Sequence, residues 1–376
     1  MCAAWKEWMA MMDEKTAKLC ISPDCSILEA IRVLDETHER IVLIVEGGRL
    51  LGVLTDSDVR KWILKSGEMS EKVTAAMTKE PVCVKEEERR RAGALMERYG
   101  IDAIPVLDDG GMLTDLLFRY EPSEKKRHTG KPLTAPVVIM AGGKGTRLLP
   151  YTQVLPKPLL PIGNNTILEQ VIDSFREAGC GTFYISIHYR KNLIKAYFQD
   201  LHPDYEVVYV EEEEFLGTAG SLYLVKDRIS EPFFVSNCDI LLDVDYGKIM
   251  RFHKEQGNMI TLITSLKNYT IPYGVVNIDG QGSVESLSEK PALSFLVNTG
   301  VYVLNPQVLA LIPQEKFMHI TDLIQICLDR GDKIGVYPIT EKAWEDMGEF
   351  SSMEEMLKAR ADRECESEQK DGPAGK

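Results

Sequence analysis

Val137-Val138-Ile139-Met140-Ala141-Gly142-Gly143-Lys144-Gly145-Thr146-Arg147-Leu148 is the stretch that decides how the rest of the chain is read. Four apolar residues run into a glycine cluster, the pattern of a strand buried on both faces that ends in a tight loop. Gly142, Gly143 and Gly145 let the backbone come close to an anion, and successive N–H groups there can form a phosphate nest. Two familiar glycine-rich loops fail in detail. A dinucleotide-binding fingerprint needs glycine three residues after Gly145, where Leu148 stands, and a P-loop needs Gly-Lys-Ser/Thr, whereas Gly145 separates Lys144 from Thr146. Downstream, Pro156-Lys157-Pro158-Leu159-Leu160-Pro161 sets a lysine between two prolines. Proline fixes φ on both flanks, so Lys157 is expected on a stiff surface loop.

Working outward, strands are expected at 136–140, 183–187, 207–210, 233–236, 260–265 and 297–304, and helices at 167–178, 219–225, 246–256 and 320–328. Helices between strands point to an α/β sheet covered on both faces, with ligands beyond the strand carboxyl ends. The 376 residues are 44% hydrophobic and 27% charged, with 28 Gly and 18 Pro, which excludes collagen, coiled coil and wholesale disorder. The longest apolar runs, such as 41–45 and 136–141, fall far short of the roughly 20 residues that span a bilayer. Charge interrupts the N-terminus before a signal-length apolar core develops, and eight cysteines are scattered without a CxxC. A reduced cytoplasmic protein without disulfides or zinc is therefore expected. The net charge is −14, of which residues 135–376 carry −11 (23 Lys/Arg against 34 Asp/Glu). That disfavours general nucleic-acid binding, so any phosphate must be held by a local constellation.

The first 120 residues contain a repeat at an offset of 63. Ser26-x-x-Glu29 reads as a capping box opening a helix with Ile27, Ala30, Ile31 and Leu34 on one face. Strands at 41–45 and 50–54 flank a Gly47-Gly48 turn, and a helix follows from Asp58. The second copy runs through a helix near 87–99, a strand at 103–107, a turn at 108–111 and a strand from Met112. Neither copy can bury its apolar face alone, so the two should pack together. Gly52-Val53-Leu54-Thr55-Asp56-Ser57-Asp58 and Met77-Thr78-x-x-Pro81-Val82 resemble a tandem pair of CBS domains. The resemblance implies an α+β module over residues 15–121, an adenine nucleotide with its ribose on Thr55 and Asp58, and a possible homo-oligomer through the pair. At the same offset the second copy has Phe118 and Glu121, so its ribose site looks lost. A purely structural or dimerising pair is the alternative. Residues 122–134 read as a linker and 361–376 as a disordered tail.

Gly-Gly-x-Gly-Thr-Arg-Leu-x-Pro followed by Pro-Lys-Pro-Leu-Leu-Pro resembles the signature of the sugar-1-phosphate nucleotidyltransferases. Further segments match in order over residues 135–360. The resemblance implies a Rossmann-like domain with a mixed, mostly parallel sheet. It implies that Ala141, Gly142, Gly143, Gly145 and Thr146 hold the nucleotide phosphates, and that Gly217, Thr218 and Ala219 form the base loop. Tyr273, Gly274, Glu289, Lys290, Asn298 and Thr299 are implied at the sugar phosphate, and Asp239 and Asp346 as ligands of Mg²⁺. Cys238 stands where the family usually has glycine. In the acidic run 211–214, Glu214 is the candidate acceptor for guanine N–H groups.

The chemistry makes these residue types sufficient. A sugar phosphate is already near −2 at pH 7, with a second pKa of about 6, so no general base is required. The obstacle is repulsion between two anions, which cations must screen and align. Arg147 suits the leaving β,γ-phosphates, and Lys157 can bridge the sugar phosphate and the α-phosphate, with Lys290 on the sugar side. The expected reaction joins an NTP, with GTP favoured, to a sugar 1-phosphate such as mannose or glucosamine 1-phosphate. Thymidylyl, uridylyl or cytidylyl transfer is the alternative, as is a non-catalytic nucleotide sensor. No hexapeptide repeat follows Asp346, so no left-handed β-helix is expected.

Overall fold

Val137–Met140 lies inside a seven-stranded sheet, in the order Glu206–Glu211, Thr182–Ile187, Val137–Met140, Phe233–Asn237, Ala292–Leu304, Ile260–Thr270, Ile334–Ile339. The first four of these strands are mutually parallel, and Ala292–Leu304 runs antiparallel to Phe233–Asn237. Val137, Val138 and Ile139 are buried, as a run of uninterrupted apolar residues requires of a strand covered on both faces. The computed structural model describes Trp8 and residues 12–37, 39–119 and 132–348. Most of the expected linker, the whole of the expected tail, and Glu121 lie outside these.

The described residues fall into two units: one holds the N-terminal third with Leu266–Phe295 and Pro338–Lys342, the other holds the remainder. In the first unit the repeat is visible as two three-stranded sheets of one plan. Cys20–Ile21 pairs parallel with Ile41–Glu46, which pairs antiparallel with Arg49–Thr55. Val84–Lys85, Ala103–Leu107 and Leu113–Phe118 repeat the arrangement. Leu43, Val45 and Val53 of the first copy share a buried cluster with Leu113 and Leu116 of the second. Leu113 N–H also donates to Gly48 O at 2.9 Å. The copies pack together, as apolar faces that cannot be buried singly must.

Helix Ile27–Thr37 begins as its capping box dictates, with Ser26 N–H donating to Glu29 Oε2 at 2.7 Å and Glu29 N–H to Ser26 Oγ at 3.2 Å. Its buried residues are Ile27, Ala30, Ile31 and Leu34. The second copy departs from expectation. Glu86–Arg91 is a 3-10 stretch, and only Ala92–Tyr99 is α-helical. Six consecutive charged residues offer nothing to bury, so the helix starts where Ala92 and Met96 can reach the core.

In the second unit, helix Ile167–Glu177 opens on a capping box between Thr166 and Glu169 and buries Ile167, Leu168, Val171, Ile172 and Phe175. The Phe175 ring stacks at 4.1 Å on Tyr246, which opens helix Tyr246–Gln256, and lies 5.4 Å from Phe234 of the sheet. These rings tie two helices to the strands beneath them. The expected helix at 219–225 is instead one short turn, Gly217–Gly220, continued as 3-10 helix Ser221–Val225. Ala219 and Gly220 N–H both donate to Met318 O, at 2.9 and 3.2 Å, so tertiary bonds set this segment's shape.

His253 is buried, with Nδ1 2.8 Å from Thr261 Oγ1, and burial pulls its pKa down to about 4. The unfolded imidazole titrates near 6.5. Between about 6.5 and about 4 the unfolded chain therefore binds more protons, and stability falls with pH by up to about 1.4 kcal/mol per unit. Urea midpoints of the wild type should drop over this window more steeply than those of His253→Gln, which cannot charge. Parallel curves would show that His253 carries none of the acid sensitivity.

Candidate active site

The glycine-rich loop leaves the carboxyl end of Val137–Met140 between its two parallel neighbours, where an open α/β sheet forms its ligand crevice. Ala141 N–H donates to Ser186 O at 2.9 Å, which fixes the departure of the loop. Two glycines are required by what lies against them. A Cβ on Gly142 would come within 2.7 Å of Glu212 Oε1, and one on Gly145 within 2.9 Å of the Lys157 Cβ. Gly145 also has φ +64°, left-handed backbone that favours glycine. Thr152 Oγ1 donates to Gly145 O at 2.9 Å, so the loop is strapped to the segment that carries Lys157.

Lys157 is buried, not displayed on a surface loop as its flanking prolines suggested. It opens a 3-10 turn, Lys157–Leu159, whose three residues are all buried. Its Nζ is ion-paired with Asp239 Oδ2, and each of the two side chains is only about a tenth exposed. Proline stiffness fixed the segment's shape, but its direction is set by the Gly145 contact and the carboxylate.

Asp239 follows strand Phe233–Asn237, and Asp346 closes the short strand Trp344–Asp346. That strand pairs antiparallel with Ile240–Leu242, with Ile240 opposite Asp346, and Met347 N–H donates to Asp239 O at 2.9 Å. Two carboxylates over a hundred residues apart are thus joined by one strand pair. A Cβ on Gly348 would lie 2.7 Å from Asp346 Oδ1, and 3.2 Å from both Asp239 Oδ2 and an Arg147 terminal nitrogen. The two carboxylate oxygens are therefore at most 5.9 Å apart, the sum of 2.7 and 3.2 Å. Burial raises the Asp346 pKa, and the Asp239 charge raises it further, against the Gly348 N–H, Lys157 and Arg147, which lower it. A group held up by a neighbouring anion gains from a cation placed between them.

Among the described residues, no cluster of three or more His, Cys, Asp or Glu side chains could enclose a metal. Two carboxylates are, however, the donor set for a Mg²⁺ that keeps waters and shares phosphate oxygens. Burial pushes the Cys238 thiol up to about 12, so it packs beside Asp239 as a small apolar residue in place of glycine.

The base-loop candidates Gly217, Thr218 and Ala219 lie in the turn laced to Met318, and Thr218 Oγ1 accepts from Ile320 N–H at 2.9 Å. Glu214 is exposed, whereas Glu212 is buried under Gly142. Glu212 accepts from Ser186 Oγ at 2.5 Å and from Leu216 N–H at 2.8 Å, and so pins the base loop to the sheet. Sequence reading missed Glu212 because nothing local distinguishes it within Glu211–Glu214; only the glycine above it betrays the close approach.

Asn298 donates to Tyr302 OH at 2.6 Å and Thr299 Oγ1 to Ile263 O at 2.8 Å, on the strand beside Phe233–Asn237. Tyr273, Gly274, Glu289 and Lys290 fall in the first unit, at the base of the exposed hairpin Val275–Ile278/Val284–Ser288. There, a Cβ on Gly274 would meet Glu289 Oε2 at 3.0 Å. Thr55 and Asp58, also in the first unit, form the capping box of helix Asp56–Leu64. Asp58 is buried and takes a further bond from Thr78 Oγ1 at 3.2 Å.

Residues 136–363 match the family model described as nucleotidyl transferase, and residues 13–65 match the CBS domain model. A mannose-1-phosphate guanylyltransferase catalytic subunit beta of Drosophila pseudoobscura pseudoobscura is 35% identical over 46% of this chain and 48% of its own length. A probable mannose-1-phosphate guanylyltransferase 3 of Oryza sativa is 34% identical over 46% and 50%. The chain spans about half the length of these curated relatives. The crystal structure of HddC from Yersinia pseudotuberculosis aligns at 23% identity and a TM-score of 0.48, over 60% of this chain and 99% of that one. No helix among the described residues is long and apolar enough to cross a membrane.

Proposed function

We propose that this chain, which belongs to the nucleotidyl transferase family, joins an NTP to a sugar 1-phosphate, giving an NDP-sugar and pyrophosphate. The observation that carries this reading is the convergence of Arg147, Lys157, Asp239 and Asp346 on one spot beside a glycine-rich loop at a strand end. Guanosine and mannose are the favoured base and sugar, because the relatives of known name are mannose-1-phosphate guanylyltransferases.

The sugar phosphate brings its own charge as nucleophile, so the residues act by screening and alignment. Backbone N–H groups of Gly142, Gly143 and Gly145 receive the triphosphate, and Arg147 neutralises the departing pyrophosphate. Lys157 holds the α-phosphate in line with the incoming sugar phosphate. To do so, Nζ must exchange Asp239 for phosphate oxygens, which leaves both carboxylates acidic and close together. Asp239 and Asp346 would hold a divalent cation, Mg²⁺ by its preference for oxygen, which supplies charge screening when bound.

Pyrophosphate release, screened with four NTPs against several sugar 1-phosphates, should be fastest with GTP and mannose 1-phosphate. Lys157→Ala should lower it more than a hundredfold. Because Lys157 is buried against Asp239, that variant should also shift in melting temperature, so Lys157→Met, which keeps the stem, is the companion control. Near-normal turnover in either variant would overturn the assignment, and no turnover by the wild type with any pair would favour the nucleotide-sensor alternative.

At the N-terminal repeat we propose one adenine nucleotide per chain, its ribose on Thr55 and Asp58, with the CBS pair as a contact between copies. The two residues already bond each other, so the ribose must displace Thr78 from Asp58. Calorimetric titration of the full chain with AMP and ATP should reveal a single site removed by Asp58→Ala, which also loses its half of the capping box. Two equal sites, or binding indifferent to Asp58, would contradict it.

A further inference from the structure

Among the described phenylalanines of the second unit, Phe175, Phe183, Phe198, Phe233 and Phe234 are buried and Phe252 is half-buried. Phe215 and Phe317 alone are exposed, at 44% and 55%, and their ring centroids are 6.0 Å apart. One directly precedes the base loop and the other lies upon it: a Cβ on Gly217 would come within 3.2 Å of Phe317 Cε2.

The backbone carrying Phe317 is clamped to that loop. Met318 N–H donates to Leu216 O at 3.0 Å, Met318 O accepts from Ala219 and Gly220, and Ile320 N–H donates to Thr218 Oγ1. On the other side the row continues towards the phosphate loop. His188 lies 6.4 Å from the Phe215 ring, its Nδ1 donates to Glu212 O at 3.2 Å, and its Cβ is 3.4 Å from where a Cβ on Gly142 would stand. The Phe317 ring also meets His319 edge-to-face, with centroids 4.7 Å apart. A rigidly mounted, half-exposed aromatic pair, beside glycines that admit close approach, offers a flat heteroaromatic ring what water cannot.

We propose that Phe317, with Phe215, is the stacking surface for the base and gives this site its preference for a purine over a pyrimidine. The inference rests on the reading of the glycine-rich loop as the phosphate site of a nucleotide. Two fused rings overlap the pair more fully than one, and stacking is indifferent to which purine is bound. Hydrogen bonds from the Gly217 loop would distinguish guanine from adenine.

The test is calorimetric titration of the full-length chain with GDP and with UDP, in the wild type, Phe317→Leu and the Phe215→Leu/Phe317→Leu double variant. Leucine keeps an apolar side chain at exposed positions, so folding is spared, and thermal melts confirm it. The wild type should bind GDP more tightly than UDP. Phe317→Leu should weaken GDP about tenfold, weaken UDP by clearly less, and, in turnover with GTP, raise KM without lowering kcat. GDP affinity within twofold of wild type in the double variant, or equal losses for GDP and UDP, would overturn the proposal. A wild type that transfers guanylyl groups while the double variant keeps its GDP affinity sinks the stacking surface and spares the reaction. A wild type that binds GDP through these rings but transfers nothing sinks the reaction and spares the surface.

Discussion

A lysine ammonium paired with one carboxylate, and a second carboxylate within 6 Å, all partly or wholly out of water, is the constraint around which the second unit is arranged. Such a cluster is a poor source of stability, because desolvation offsets most of the attraction within it. Its members are brought together at some cost in local backbone freedom. Gly145 must be glycine so that Lys157 can lie against it, and Gly300 takes φ +88° where a Cβ would come within 2.5 Å of Asn237 Nδ2. Gly348 leaves the space into which Arg147, Asp239 and Asp346 all face. The raised pKa of Asp346 has two causes, burial first and the neighbouring Asp239 charge second.

Two devices make the cluster possible. Parallel strands deliver the glycine-rich loop and Asp239 side by side at one end of the sheet, and the three-residue strand Trp344–Asp346 returns the chain to lie opposite Ile240–Leu242. Glu212 then joins the phosphate loop to the base loop, touching the space above Gly142 with one oxygen and bonding Leu216 N–H with the other. The glycine-rich loop and the Gly217 turn are therefore joined through a single buried carboxylate.

Much of this was legible in the sequence where a local rule governs. The capping box at Ser26, the apolar run 137–140 and the 63-residue repeat are all written in the sequence itself, and the structure follows them. Four strands of the sheet lie within one residue of their expected bounds, whereas Ile260–Thr270 runs five residues past 265 and Ala292–Leu304 starts five before 297. What was not legible depends on distant partners. Lys157 looked exposed because nothing nearby in sequence could bury it; its partner is 82 residues away. Helix Lys191–Leu201 went unread because its N-cap, Arg190, sits in left-handed backbone with no capping side chain. Strand Ile334–Ile339 is short and interrupted by Gly335, whose absent side chain makes room for Asn258. Glu212 could not be singled out within the acidic run 211–214, whose members look alike until burial separates them.

On the proposed reaction, Lys157 leaves Asp239 for the nucleotide phosphates while Asp239 and Asp346 take one metal ion together. The most direct measurement is a crystal structure of the chain with Mn²⁺ and a non-hydrolysable triphosphate, read by manganese anomalous scattering. One peak bonded to an oxygen of each of Asp239 and Asp346, with Lys157 Nζ turned onto a phosphate oxygen, is the predicted result. A metal on neither carboxylate, or Lys157 still paired with Asp239 beneath a bound triphosphate, would contradict it.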